Sequence, residues 1–188
     1  MSHYIDIHLR SDPDLAPHQL LSGLYARLHQ ALVRTASQSI GVSFPRYDNQ
    51  LPTLGTTLRL HGSQPELDGL MQLPWLHGVV DLLQVAEVRP VPYGAMHRVV
   101  SRVQAQSNAQ RLRRRAIKRH DWDDATAKAK IPDSAEQRLN LPFLTLGSRS
   151  TGQASFPLFV RHGPLLPAPV LGVFNYYGLS QTATVPWF

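Results

Sequence analysis

The stretch HYIDIHLR, residues 3–10, and the stretch PHQLLSGLYARLHQALV, residues 17–33, decide the fold. In the first, Ile5, Ile7 and Leu9 alternate with polar residues, and this period of two predicts a half-buried strand. In the second, Pro17 marks a helix start, and apolar residues recur at the spacing of one helical face. The apolar stripe consists of Leu20, Leu21, Leu24, Leu28, Ala31 and Leu32.

The segments after this helix complete a β-α-β-β-α-β order. Residues 40–44 alternate as a second strand, and residues 58–60 place leucines on the core face of a third. A short helix is predicted over residues 64–71, and the apolar run 79–85 is predicted to be a fourth strand. This order is the split βαβ pattern of a ferredoxin-like domain.

A proline-rich connector, residues 89–94, predicts a boundary between two domains. Proline lacks a backbone donor and fixes φ, so the run suits a linker better than a paired strand. We therefore expect an N-terminal ferredoxin-like domain over residues 1–94 and a smaller α+β domain over residues 95–188. The second domain is predicted to contain a strand at 99–103, an arginine-rich helix at 111–119, a helix at 122–130, and strands at 143–146, 156–160 and 173–177.

Composition favours a globular protein with a polyanionic partner. The chain has 188 residues, 43% of them apolar, and 19 Lys and Arg against 13 Asp and Glu give a net charge of +6. There is no cysteine, which excludes disulfides and thiolate metal sites and fits a reducing compartment. No signal sequence or long apolar segment is recognisable, so a cytoplasmic location is expected.

The arginine-rich helix is the most specific sign of that partner. Ser107 and Gln110 have the spacing of a capping box, which predicts where the helix starts. Five cations fall within an arc of roughly 140° of the helix surface, and crowded like charges favour a bound anion. They are Arg111, Arg114, Arg115, Lys118 and Arg119. Arginine holds a phosphate bidentately, which indicates nucleic acid, but charge alone leaves RNA and DNA both open.

The nine histidines do not form a metal-binding pattern. None belongs to an H-x-x-x-H or H-E-x-x-H pair, and no metal site is predicted. His29 lies at the edge of the apolar stripe, where a histidine is more often a packing residue, although neutral imidazole is a natural base for a ribose hydroxyl. Asp121, Asp123 and Asp124 are expected to interact with a helix dipole.

A loop rich in small residues is predicted at GSRSTGQ, residues 147–153. Two glycines enclose three hydroxyls and a cation, a pattern that suits phosphate binding but is common in loops of other kinds.

Together these segments resemble a known family, the repeat-processing endoribonucleases of subtype I-F CRISPR systems. The similar stretches are HYIDIHLR, RLHQALV around His29, IGVSFP, SRVQAQSN, RLRRRAIKRHD, LPFLTLGSRSTGQ, FVRHGPL, YGLS and the final VPWF. They follow the family's order with similar spacing and cover nearly the whole chain.

The resemblance implies an activity and a set of site residues. The family cuts precursor CRISPR RNA at the 3′ base of each repeat hairpin without metal or cofactor, and then keeps its product. It implies that His29 is the catalytic histidine, Ser148 the serine beside the attacking 2′-hydroxyl, and Tyr177 a supporting tyrosine. The implied RNA-binding residues are Arg102, Gln104, Arg111, Arg114, Arg115, Lys118, Arg119, His120, Ser150, Thr151 and Phe156.

The chain departs from the family pattern at three positions. Lys118 stands where arginine is frequent, so a bidentate phosphate contact is weaker there. One additional residue after the STGQ motif makes Phe156 the equivalent of the aromatic that stacks on the closing base pair. The same shift leaves Tyr176 and Tyr177 as alternatives for the supporting tyrosine, and the following GLS motif favours Tyr177.

Two functions of different classes follow from these residues. One is a metal-independent endoribonuclease that binds its repeat hairpin as a monomer and joins other subunits of a type I-F surveillance complex. The alternative is a hairpin-binding structural subunit of that complex that does not cut. The presence of His29, Ser148 and Tyr177 together favours the enzyme.

Overall fold

The computed structural model describes residues 1–104, 109–132, 139–147 and 155–188, without the side chains of residues 110 and 111. Within these ranges the chain is α+β, with two antiparallel sheets and four α-helices. The helices are α1 (Pro17–Arg34), α2 (Gln64–Met71), α3 (Ala109–His120) and α4 (Asp124–Lys130). The strands are β1 (His3–Leu9), β2 (Gly41–Ser43), β3 (Thr57–Gly62), β4 (Leu83–Val85), β5 (Arg89–Pro90), β6 (Met96–Val103), β7 (Phe143–Leu146), β8 (Phe156–His162) and β9 (Thr184–Trp187).

The first sheet has the strand order β2-β3-β1-β4, with each neighbouring pair antiparallel. Ile5 faces Leu60 and Ile7 faces Leu58 across β1 and β3, and all four side chains are buried. The stripe predicted on α1 is buried as well, from Leu20 to Leu32. Both predicted helices of this region, α1 and α2, are confirmed at the residues where they were expected to begin.

The outer edge of this sheet differs from the predicted strand over residues 79–85. Val80–Leu82 forms a 3-10 helix, and only Leu83–Val85 pairs with β1. The N–H of Leu82 donates to the Val79 carbonyl at 3.1 Å, so the turn satisfies its own backbone groups and leaves Val80 54% exposed. The proline-rich connector also pairs with β1, through β5, because an edge strand tolerates proline.

The second sheet has the strand order β7-β8-β6-β9, again antiparallel. The prediction of a strand over residues 173–177 is wrong, because Asn175–Gly178 closes a turn through a 2.8 Å backbone hydrogen bond and Val173 is 68% exposed. Strand β9 was not predicted, because Pro186 within it is unfavourable for a paired strand. That proline is tolerated because β9 pairs only with β6 among the described strands.

Helix α1 also contacts the second sheet. The backbone N–H of Thr145 on β7 donates to the Ser22 hydroxyl on α1 at 3.0 Å. The buried side chains of both sheets and of α1 form one continuous core, which includes Leu28, Leu144 and Val185.

The chain divides into two compact units, one made of residues 1–103 with 141–188 and the other of residues 104–140. In the second unit, the Arg113 guanidinium on α3 donates to the Ile131 carbonyl at the end of α4, 2.8 Å away. Asp123 caps α4 by accepting from the N–H of Thr126 at 2.7 Å, as the acidic run predicted. The predicted capping box of Ser107 and Gln110 lies outside the described residues, and the predicted domain boundary at residue 94 stays a prediction.

No described helix is long and apolar enough to cross a membrane.

Candidate active site

His29 lies near the C-terminal end of α1, at the border of the buried stripe. Its neighbours Leu28 and Leu32 are fully buried, whereas the imidazole itself is half-buried. Burial lowers the pKa of His29 below its ordinary value, because the charged form loses solvation. The imidazole therefore stays in its neutral, proton-accepting form under conditions where an exposed histidine is partly protonated.

Tyr177 lies directly against this imidazole. The two rings are nearly parallel, with an interplanar angle of 10° and centroids 4.1 Å apart. Tyr177 belongs to the turn over residues 175–179, whose neighbour Tyr176 is 38% exposed. Of the two adjacent tyrosines that the sequence left as alternatives, it is thus Tyr177 that the structure brings to His29.

Arg102 on β6 lies between Tyr177 and an aromatic residue of the neighbouring strand. Its guanidinium carbon is 5.6 Å from the ring centroid of Tyr177 and 5.6 Å from that of Phe156 on β8. The Arg102 Nε is buried and has no hydrogen-bond partner among the residues that the structure describes. A buried donor without a partner is costly, and the described residues supply no acceptor for this nitrogen.

The cations predicted to bind nucleic acid lie on α3, in the second unit. Arg114, Arg115, Lys118 and Arg119 are exposed, and in the described part of the chain none of them forms an ion pair. His120 ends the helix and stacks on Trp122, with ring centroids 4.9 Å apart. Gln104, the first residue of this unit, is also exposed.

Several predicted site residues fall outside the described ranges. They are Ser148, Ser150 and Thr151, together with the side chain of Arg111. Among the described residues, no group of three or more His, Asp, Glu or Cys side chains is arranged to hold a metal ion.

Sequence reasoning missed the turn that carries Tyr177. The four-residue pattern N-x-x-G, from Asn175 to Gly178, is a turn signal, and Gly178 adopts a φ of 68° that favours glycine. The apolar residues before it, Val173 and Phe174, were instead interpreted as the start of a strand.

These residues bring a base and a cation to the same tyrosine ring. The half-buried imidazole of His29 can accept a proton, and Tyr177 restricts the orientation of that imidazole. The Arg102 guanidinium supplies positive charge 5.6 Å from the centroid of the Tyr177 ring. Such an arrangement suits proton abstraction from a substrate that carries negative charge.

The comparisons with known proteins agree with one another. The family model described as CRISPR-associated protein (Cas_Csy4) matches residues 4–188. A protein of Pseudomonas aeruginosa (strain UCBPP-PA14), named CRISPR-associated endonuclease Cas6/Csy4, is 50% identical over 188 residues, which is 100% of both chains. A protein of the same name from Escherichia coli (strain UTI89 / UPEC) is 46% identical over the same 188 residues and the same full coverage.

Proposed function

This chain belongs to the Cas_Csy4 family of CRISPR-associated proteins, and we propose that it is an endoribonuclease that processes precursor CRISPR RNA. It cuts at the 3′ base of each repeat hairpin, needs no metal ion and remains bound to the mature product. The observation that carries the proposal is the stack of His29 on Tyr177 beside Arg102. The names of the two full-length relatives, both endonucleases, support the same activity.

The proposed reaction uses the nucleophile that RNA itself carries. His29 removes the proton from the 2′-hydroxyl next to the scissile phosphate, and the resulting oxygen attacks phosphorus in line. The bond from phosphorus to the 5′ oxygen breaks, and that oxygen takes up a proton from water as it leaves. The products are a 2′,3′-cyclic phosphate and a 5′-hydroxyl. The lowered pKa of His29 supports this role, since only the neutral imidazole accepts the proton.

Ser148 and Tyr177 act as supporting groups in this mechanism. Ser148 positions the 2′-hydroxyl and forms no covalent intermediate. Tyr177 holds the plane of the imidazole, a role that the 10° angle between the two rings supports. Alignment of this kind contributes to catalysis because it lowers the entropy that the reacting groups must lose.

Arg102, Gln104 and Phe156 recognise the bottom of the hairpin stem. Arg102 and Gln104 read base edges, as arginine and glutamine side chains commonly do. Phe156 stacks on the closing base pair, and its position beside the Arg102 guanidinium supports a shared contact surface.

Helix α3 binds the phosphates of the hairpin stem. A short hairpin is open at its ends, so a slim helix can enter a major groove that is too narrow for side chains in long RNA duplexes. The exposed cations of α3 support this role. The residues assigned to it are Arg111, Arg114, Arg115, Lys118, Arg119 and His120, with Ser150 and Thr151 from the segment that follows β7 in sequence.

The proposal includes a ferredoxin-like N-terminal domain over residues 1–94 and an RNA-binding domain over residues 95–188. The antiparallel order β2-β3-β1-β4, with a helix after β1 and another after β3, supports the first part. The protein is a monomer on its own in the cytoplasm, and its partners are the repeat hairpin and other subunits of a type I-F surveillance complex.

A cleavage assay in excess EDTA tests the activity. The substrate is the repeat RNA of the CRISPR array that accompanies the gene, and cutting should persist without divalent cations. A single 2′-deoxy substitution before the cut should abolish cutting and leave binding intact. Intact but tightly bound natural RNA would contradict the nuclease and favour the structural subunit that does not cut.

A further inference from the structure

We propose that Tyr25 and Asn175 are positioning residues of this site, because together they fix the backbone of Tyr177 so that its ring stays stacked on His29. The inference rests on the proposed function, in which His29 is the base. It extends the proposed site by two residues, one on α1 and one in the turn that carries Tyr177. Tyr25 is fully buried and acts on the reaction only through Tyr177.

Tyr25 lies on α1 one helical turn before His29, so the two side chains project from the same side of the helix. Its hydroxyl donates to the backbone carbonyl of Tyr177 at 2.6 Å. Its ring is also parallel to that of Tyr177, with an interplanar angle of 8° and centroids 6.4 Å apart. Helix α1 therefore contacts Tyr177 twice, through the ring of His29 and through the hydroxyl of Tyr25.

Asn175 holds Tyr177 from within the turn. Its side-chain oxygen accepts from the N–H of Tyr177 at 2.9 Å and from the N–H of Leu179 at 3.2 Å. Its backbone N–H donates to the Leu179 carbonyl at 2.9 Å, which closes the turn. The N–H of Tyr177 is thus fixed by Asn175, and its carbonyl is fixed by Tyr25.

The turn is also anchored to the first sheet. The N–H of Val42 on β2 donates to the Gly178 carbonyl at 2.8 Å. A Cβ atom at Gly178 would come within 2.4 Å of the Val42 Cγ2, so only glycine fits at this position, where the turn lies against β2. Because the turn is fixed on both sides of Tyr177, the hydrogen bond from Tyr25 acts on a well-defined backbone and therefore sets the position of the Tyr177 ring.

A base works only when its nitrogen points at the proton that it removes. The imidazole of His29 rotates about two side-chain bonds, and a parallel ring 4.1 Å away restricts that rotation. A displacement of about 1 Å at a catalytic group costs up to roughly 10²-fold in rate. If Tyr25 were only a packing residue, its hydroxyl could donate to any nearby acceptor. The acceptor is instead the carbonyl of Tyr177, the residue that stacks on His29.

The first test removes the Tyr25 hydroxyl alone, in Tyr25→Phe. We expect the single-turnover cutting rate of the repeat RNA to fall about tenfold or more, with RNA affinity unchanged. The ring current of Tyr177 shifts the NMR resonances of the His29 ring protons. In Tyr25→Phe their chemical shifts, measured at a pH above the range of histidine titration, should return toward ordinary values. Tyr47→Phe is the matched control, since it loses a hydroxyl that accepts from Arg98 at 2.9 Å and should change neither measurement.

The second test separates Asn175→Ala from Asn175→Asp. Aspartate keeps the acceptor oxygen of the turn, so we expect Asn175→Asp to restore most of the rate and of the NMR displacement that Asn175→Ala loses. Unchanged cutting and unchanged His29 signals in Tyr25→Phe, or equal losses in Tyr47→Phe, would overturn the inference. If the wild-type protein fails to cut, the proposed function fails, but the His29 signals still decide whether Tyr25 and Asn175 position Tyr177.

Discussion

The chemistry proposed for His29 depends on two local properties, its partial burial and its stacked neighbour. Burial lowers the pKa and keeps the imidazole neutral, and Tyr177 holds its plane. Neither property depends on an acidic side chain of the kind that orients the catalytic histidine in a serine protease. In the proposed reaction the nucleophile is the substrate's own hydroxyl, so one oriented base is sufficient.

His29→Ala should abolish cutting and preserve binding. Loss of a general base lowers the rate by about 10²–10⁴-fold, while the RNA contacts assigned to other residues remain. Single-turnover cleavage and gel-shift affinity measure the two effects. His18→Ala, an exposed histidine on the same helix, is the control and should match the wild type in both. If His29→Ala binds RNA poorly, His29 is a structural residue and the proposed role is wrong.

At the level of elements, α3 uses its cations in two different ways. Arg113 donates to the Ile131 carbonyl and holds α3 to α4, whereas Arg114, Arg115, Lys118 and Arg119 remain exposed. Removing Arg113 is therefore expected to affect the stability of the helix pair. Removing an exposed cation affects only what the helix binds.

Arg115→Ala should weaken RNA binding and flatten its dependence on salt. Each phosphate contact adds roughly one unit to the slope of log affinity against log salt concentration, because binding releases counterions. Affinity measured at several salt concentrations checks this expectation. Arg34→Ala, an exposed arginine at the end of α1, should leave the slope unchanged. A normal slope in Arg115→Ala would show that this arginine does not contact phosphate.

The sequence predicted elements well where local pattern decides them. The stripe on α1 and the proline near the start of α2 specify those helices whatever surrounds them. Residues 79–82 and 173–177 were predicted as strand but form turns that satisfy their own backbone groups, and only residues 83–85 of the first run pair with β1. The stack of His29 on Tyr177 and the bond from Tyr25 join distant parts of the chain, so no local pattern could reveal them.

At the scale of the whole molecule, several histidines are held uncharged in the core. His162 stacks on Tyr47 with centroids 3.7 Å apart, and neither of its ring nitrogens finds a hydrogen-bond partner within the described ranges. Burial, with the nearby Arg98 guanidinium, lowers the pKa of His162 to about 3. Burial also lowers the pKa of His61, whose Nε2 lies 2.8 Å from the Ser43 hydroxyl. Folding thus keeps protons off residues that would bind them in the unfolded chain.

Stability should therefore fall on acidification. The unfolded chain takes up protons at histidine below about pH 6.5, whereas folded His162 does so only near pH 3, so stability is lost between these values. Each such histidine costs up to about 1.4 kcal/mol per pH unit. His162→Phe keeps a ring against Tyr47 and should flatten the decline measured by urea unfolding. His18→Ala should not, and an equally steep decline in His162→Phe would contradict the assignment.

The hydrogen bond from the Thr145 N–H to the Ser22 hydroxyl joins strand β7 to helix α1. Ser22 lies two helical turns before His29, so this hydrogen bond fixes β7 relative to the helix that carries the proposed base. Residues 104–140 form a separate compact unit, so a change in their length or charge leaves that hydrogen bond in place. We therefore expect the sequence of the recognised hairpin to vary more among relatives than the arrangement of the groups that cut it.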